Sequence, residues 1–183
     1  GYRVTTHFAF PSDAQPISAR ATSETGEILL RTQFARAADI WRINHGWRRS
    51  DVEGFTLEPS TGRWGSRPSN DPSQPADPDI QAPFQGIRPF VTDRRTMLLM
   101  QPGETAIDET FALSLLFALK QGIETVYQLE PQEVAAQLIG SDDHRKLLLW
   151  EAAEGGTGVW EHLLEDTDAM ARVAQAALER CHF

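Results

Sequence analysis

A chain of 183 residues suits one domain with a single sizeable core and is too short for a two-domain nucleotide-driven motor. Apolar residues make up 40% and aromatics 9%, ordinary values for a globular protein, and no apolar run nears the ~20 residues that span a bilayer, which argues against a membrane protein. The formal net charge of −9 weighs against nucleic-acid binding by the chain as a whole, because nonspecific affinity comes chiefly from Lys and Arg neutralising phosphates.

The charge is unevenly placed, however. Arg31 to Ser50 holds Arg31, Arg36, Arg42, Arg48 and Arg49 against Asp39 alone, whereas Gln101 to Phe183 holds 15 acids against 5 bases. A basic patch on an acidic body is expected. Gly1 to Phe10 carries no basic and apolar secretion signal, and one cysteine fits a reducing cytoplasm without disulfides. The chain opens without an initiator methionine and stops at Cys181-His182-Phe183 directly after a helix-like repeat, as expected of a single module, 1–183, taken from a larger protein.

In chain order, Arg3 to Phe10 and Glu27 to Phe34 mix β-branched, aromatic and polar residues over strand lengths. Asp39 to Asn44, Gly54 to Glu58 and Thr96 to Met100 continue the pattern, bounded by Asn44-His45-Gly46, Pro59-Ser60-Thr61-Gly62 and Gln101-Pro102-Gly103. Alternation with Ile40, Arg42 and Asn44 turns Trp41 and Ile43 inward. Residues 1–66 and 84–101 are thus expected to be strand-rich. Between them Pro68, Pro72, Pro75, Pro78 and Pro83, set among Ser, Asn, Asp and Gln, predict a mobile loop over 67–83.

Residues 102–183 read as helix-rich. Ile107 to Gln121 is apolar nearly all round, as a helix buried on several faces would be, with Gly122 as its C-terminal stop. Pro131 to Leu138 is expected to be a short helix and Lys146 to Trp150 a buried strand. Met170, Val173, Ala174, Ala177, Leu178 and Cys181 fall on one helical stripe, capped by Thr167. The fold class is α+β: a mainly antiparallel sheet region, then helices with a buried strand and a glycine-rich strand-to-helix turn.

That turn, Glu151 to Val159, contains Gly155, Gly156 and Gly158. Glycines there let backbone N–H groups approach a phosphate, but Glu151 and Glu154 beside the turn would repel an anion, and a purely structural turn is the stronger reading. In Trp41-Arg42-Ile43-Asn44-His45-Gly46-Trp47-Arg48-Arg49, guanidinium and indole groups suit phosphate contact and base stacking. The competing reading is a core tryptophan with arginines satisfied by acids. Arg42, Arg48, Arg49, Arg94 and Arg95 are the candidate nucleic-acid contacts. There is no P-loop, H-E-x-x-H, C-x-x-C or G-x-S-x-G, so no catalytic residue is assigned and the chain is not expected to be an enzyme by itself.

Taken in order, Trp41 to Arg49, Gly54-Phe55, Thr61-Gly62-Arg63-Trp64, Ala118 to Glu124, Glu151 to Val159 and Cys181-His182-Phe183 resemble successive blocks of one module. It is the domain of unknown function that follows or stands in for motor domains in bacterial DEAD/DEAH-box helicase-like proteins, including the MZB zinc-binding group. The likeness is greatest to the form found in the B subunit of the DISARM antiphage system; similar modules end helicases of other defence and repair systems. The resemblance implies a non-motor accessory module in antiphage defence, supporting DNA binding or contact with a helicase subunit that hydrolyses ATP elsewhere. It also implies a zinc site completed by cysteines beyond Cys181, so that no cofactor is expected in these residues and zinc only in the full-length protein. Two alternatives remain: a metal-dependent phosphodiester-processing enzyme using Glu151 or Glu154, and a protein-interaction scaffold docking through its acidic half.

Overall fold

The computed structural model describes residues 1–51, 53–65, 85–103, 107–153, 156 and 158–180. Strands β1 (Tyr2–Ala9), β2 (Ile17–Thr22), β3 (Ile28–Trp47), β4 (Phe55–Glu58), β5 (Arg63–Trp64), β6 (Gln85–Ile87) and β7 (Phe90–Pro102) come first. Helix α1 (Glu109–Tyr127), strands β8 (Val134–Ile139) and β9 (Lys146–Glu151), and helices α2 (Val159–Glu165) and α3 (Ala169–Arg180) follow. This is the expected α+β class. One sheet runs β1-β3-β7-β9-β8 with β2 also on β3, and a small one runs β5-β4-β6. The chain divides into two compact units, Gly1–His7 with Trp41–Thr92 and Phe8–Ile40 with Asp93–Phe183.

In the second unit, β7 and β9 pair antiparallel with Met97 opposite Trp150 and Met100 opposite Leu147. Their consecutive apolar residues face both ways, as in strands covered on each side. Leu98, Met100, Leu147 and Leu149 pack with Leu116, Ile123, Trp160 and Val173 of the helices. Met97, Leu99 and Leu148 turn to a smaller cluster with Ala35, Ala38, Phe8 and Phe10. Trp41 and Ile43 are half-buried and Arg42 between them is exposed, as the alternation predicts, but Ile40, expected on the Arg42 face, is buried. The separate strands expected over Glu27 to Phe34 and Asp39 to Asn44 are one strand of 20 residues.

Helix α1 starts where the Asp108 carboxylate accepts the Phe111 N–H at 2.7 Å. It passes through Gly122 and ends at Gln128 in the left-handed conformation, φ 55°. Gly122 is therefore not a cap; a side chain there would meet the backbone carbonyl of Val173 on α3. Nor is the helix buried all round, since Phe111 and Phe117 are each 53% exposed.

The short helix expected after Pro131 is strand β8, paired in unbroken register with β9 from Val134 opposite Glu151 to Ile139 opposite Lys146. Pro131 sits in a turn closed by the Glu133 N–H on the Glu130 carbonyl, 2.9 Å, with the Glu133 carboxylate accepting the Glu130 N–H, 2.7 Å. Helix α3 buries Ala169, Val173 and Ala177 and exposes Ala174 and Leu178, a face of smaller residues than the expected stripe. Asp166, rather than Thr167, makes the hydrogen bonds at its start, accepting from the Asp168 N–H at 2.9 Å and from Arg172 at 2.6 Å. Among the described residues no helix is long and apolar enough to cross a membrane.

Candidate nucleic-acid interface

The described residues of the unit formed by Gly1–His7 and Trp41–Thr92 are basic, unlike the chain as a whole. They carry six arginines, Arg3, Arg42, Arg48, Arg49, Arg63 and Arg88, against Asp51, Glu53 and Glu58. Residues 66–84, outside the described set, add Arg67 and three aspartates. Arg42, Arg48 and Arg49 are exposed, at the end of β3 and in the turn after it.

A tight crossing holds this region together. Gly46 takes φ 94° inside β3, where the sequence predicts a turn, and the Gly54 N–H donates to the His45 carbonyl at 2.8 Å. A side chain on Gly46 would strike the Gly54 backbone, so glycine is required both by φ and by space. The Arg48 N–H reaches the Gly1 carbonyl at 3.0 Å and its Nε the Tyr2 carbonyl at 3.1 Å, which fixes the stem of that exposed arginine. Thr5 Oγ1 lies 2.7 Å from His45 Nε2 and 2.9 Å from His7 Nε2.

Four rings form a row across these strands. Tyr2 packs on Trp47 with centroids 4.4 Å apart, Tyr2 stands 6.1 Å from Phe55, and Phe55 stands 6.1 Å from Trp64. Trp47 is 45% exposed and Trp64 58%, so the row is open to solvent at both ends. Trp64 is placed by the β4–β5 hairpin, where it lies opposite Leu57; Gly62 at φ 72° and the Glu58 carboxylate, accepting from Ser60 and Thr61, shape the turn. A second pair, Trp41 and Phe90, lies 5.1 Å apart. Exposed rings beside arginines are what base stacking and phosphate contact need. The sequence singles out the Trp41 to Arg49 stretch for nucleic-acid contact; Phe55 and Trp64 stand only among the blocks of the family resemblance, and Tyr2 in neither. Their part in the row comes from strand pairing, although the adjacent Arg63-Trp64 was a usable signal.

Arg94 and Arg95 belong to the other unit. Arg94 is exposed and pairs with Asp39 at 3.1 Å. Arg95 is largely covered: its Nη2 pairs with Asp93 at 2.6 Å, and its Nη1 donates to the carbonyls of Ala152 and Ala153 at 3.1 and 3.2 Å. Its guanidinium thus anchors the chain leaving β9. At the glycine turn, Gly156 and Gly158 take φ 72° and 73°, and a side chain on Gly156 would collide with the Glu151 carboxylate. Glu151 is 2% exposed, which leaves its carboxylate no access to a substrate. Gly155, Glu154 and Cys181 lie outside the described residues. Among the described residues no group of three or more His, Cys, Asp or Glu side chains is arranged to hold a metal ion.

No protein-family model matches the sequence, and no curated protein does. Among solved structures, the chain is similar to one described as the crystal structure of the DUF1998 helicase MrfA bound to DNA, with a TM-score of 0.52 and 9% identity. The match covers 97% of this chain and 20% of that one, so the chain spans about a fifth of that helicase's length. At this identity the likeness is one of fold, and it extends over nearly the whole chain.

Proposed function

We propose that the chain is a non-motor accessory module of a helicase assembly and that its basic unit contacts DNA. The observation that carries this reading is the concentration of exposed arginines and exposed rings in the unit Gly1–His7 with Trp41–Thr92, on a chain whose net charge is −9. Arg42, Arg48 and Arg49 take the phosphates, and Trp47 and Trp64 at the ends of the ring row stack on unpaired bases. The fold shared with part of a helicase bound to DNA supports the setting. ATP hydrolysis belongs to the helicase partner, and the buried Glu151 supports a module without phosphodiester chemistry of its own.

The finer reading is bacterial antiphage defence of the DISARM kind, in the cytoplasm, with Cys181 as a zinc ligand in the full-length protein. It is supported by the order of the sequence blocks from Trp41 to Phe183. Contact with a helicase subunit is favoured by a separate observation, the exposed Phe111 and Phe117 on α1 in the acidic unit.

The test is titration of the chain with an oligothymidylate at low salt, read by tryptophan fluorescence. Quenching that disappears in Trp47→Ala/Trp64→Ala is the expected result. Absence of binding by the unmodified chain overturns the DNA reading.

A further inference from the structure

The unit formed by Phe8–Ile40 and Asp93–Phe183 is acidic, with 10 Lys and Arg against 20 Asp and Glu. Cations in such surroundings readily find carboxylates, and most do. Six of the ten form ion pairs, from Arg36 with Glu161 to Arg172 with Asp166, and Arg180 donates to the Gln121 side chain at 3.3 Å. Arg20, Arg31 and Lys146 are the three whose side chains have no such partner among the described residues.

All three line one cleft of about 380 Å³, together with Ser18, Gln33 and Gln101, and among the described residues no acid lines it. The strand registers explain the convergence. Arg20 and Arg31 are directly opposite across β2 and β3. Opposing residues share a face of the sheet, so the two side chains leave it side by side, and like charges placed opposite one another cost stability. The β7–β9 register, which sets Met100 against Leu147, continues to place Gln101 beside Lys146 at the end of those strands.

We propose that this cleft is a binding site for phosphate groups, independent of the ring row and of Arg42, Arg48 and Arg49. Two arginines offer paired N–H donors to phosphate oxygens and Lys146 supplies a third charge. Ser18, Gln33 and Gln101 are neutral hydrogen-bonding groups for the rest of the ligand. An anion bridging Arg20 and Arg31 would offset the repulsion between them. The same chemistry serves a free phosphate ligand or the backbone of a nucleic-acid strand.

The experiment measures thermal unfolding of the chain carrying Arg42→Ala, Arg48→Ala, Arg49→Ala, Trp47→Ala and Trp64→Ala, alone, with inorganic pyrophosphate, and with a short oligothymidylate, all at matched ionic strength. Either ligand should raise the melting temperature, because a ligand that binds the folded state stabilises it. The rise should vanish when Arg20→Gln and Arg31→Gln are added, while the ligand-free chain melts no lower than before. A rise with pyrophosphate assigns a free phosphate ligand, and a rise with the oligonucleotide alone assigns a strand. No rise with either, or a rise that survives Arg20→Gln/Arg31→Gln, overturns the proposal. Loss of DNA binding to the ring row with the cleft response intact would leave this site standing and remove only the function proposed above.

Discussion

Gly122 of α1 lies directly against the backbone carbonyl of Val173 on α3, with the Val173 and Ala177 side chains closing over it. The two helices approach so closely because there is no Cβ at this point. Gly122→Ala is therefore expected to push α3 off its seat, at a cost of about 1–3 kcal/mol of the kind seen when a packed core is overfilled. Urea unfolding checks this: the midpoint should fall, and an unchanged midpoint would show that the helices are not held this tightly.

The same contact shows why part of the fold was hidden in the sequence. A glycine after an apolar helical run has the pattern of a helix stop, and only the crossing of α3 reveals that its purpose is close approach. Strand β8 was hidden for a related reason: Ala135, Ala136 and Gln137 favour helix locally, and pairing with β9 decides otherwise. The strand β9 itself was legible, because Leu147-Leu148-Leu149 is too short for a helix and apolar on both faces. At the candidate interface, Arg42, Arg48 and Arg49 were legible as a local cluster, whereas the ring row draws on four strands far apart in sequence.

The glycine turn yields a rank order. Gly156 and Gly158 both hold positive φ, but a side chain at Gly156 also meets the Glu151 carboxylate, while at Gly158 it meets nothing. Gly158→Ala should cost on the order of 1 kcal/mol from backbone strain, and Gly156→Ala clearly more. Equal losses in chemical denaturation would contradict the crowding at Glu151.

Arg94 and Arg95 are neighbours with different expected weights. Arg94→Ala removes an exposed ion pair with Asp39 and should change stability by no more than about 1 kcal/mol. Arg95→Ala leaves the carbonyls of Ala152 and Ala153 without their donor, and hydrogen bonds from a charged group to such acceptors are worth about 1.5–3 kcal/mol. Comparable melting temperatures for the two variants would refute the anchoring role of Arg95.

The start of α3 carries a pH dependence. A hydrogen bond from Arg172, with one from the Asp168 N–H, holds the Asp166 carboxyl below the usual aspartate range. A carboxyl whose pKa is lowered by folding adds stability above its unfolded value, about 3.9, and that stability is lost as pH falls through the lower folded value. The stability gap between the unmodified chain and Asp166→Asn should thus be full at neutral pH and narrow only below about pH 4. A gap that stays constant into acid would exclude the charged interaction as its source.

The central claim is that the basic unit neutralises DNA phosphates through Arg42, Arg48 and Arg49. The most direct measurement is the slope of log binding constant against log salt for the unmodified chain and for Arg42→Ala/Arg48→Ala/Arg49→Ala, on the same single-stranded oligonucleotide. Each lost phosphate contact removes about 0.7 from the slope, so three contacts predict a decrease of about 2 with weaker binding throughout. An unchanged slope in the triple variant would contradict the account.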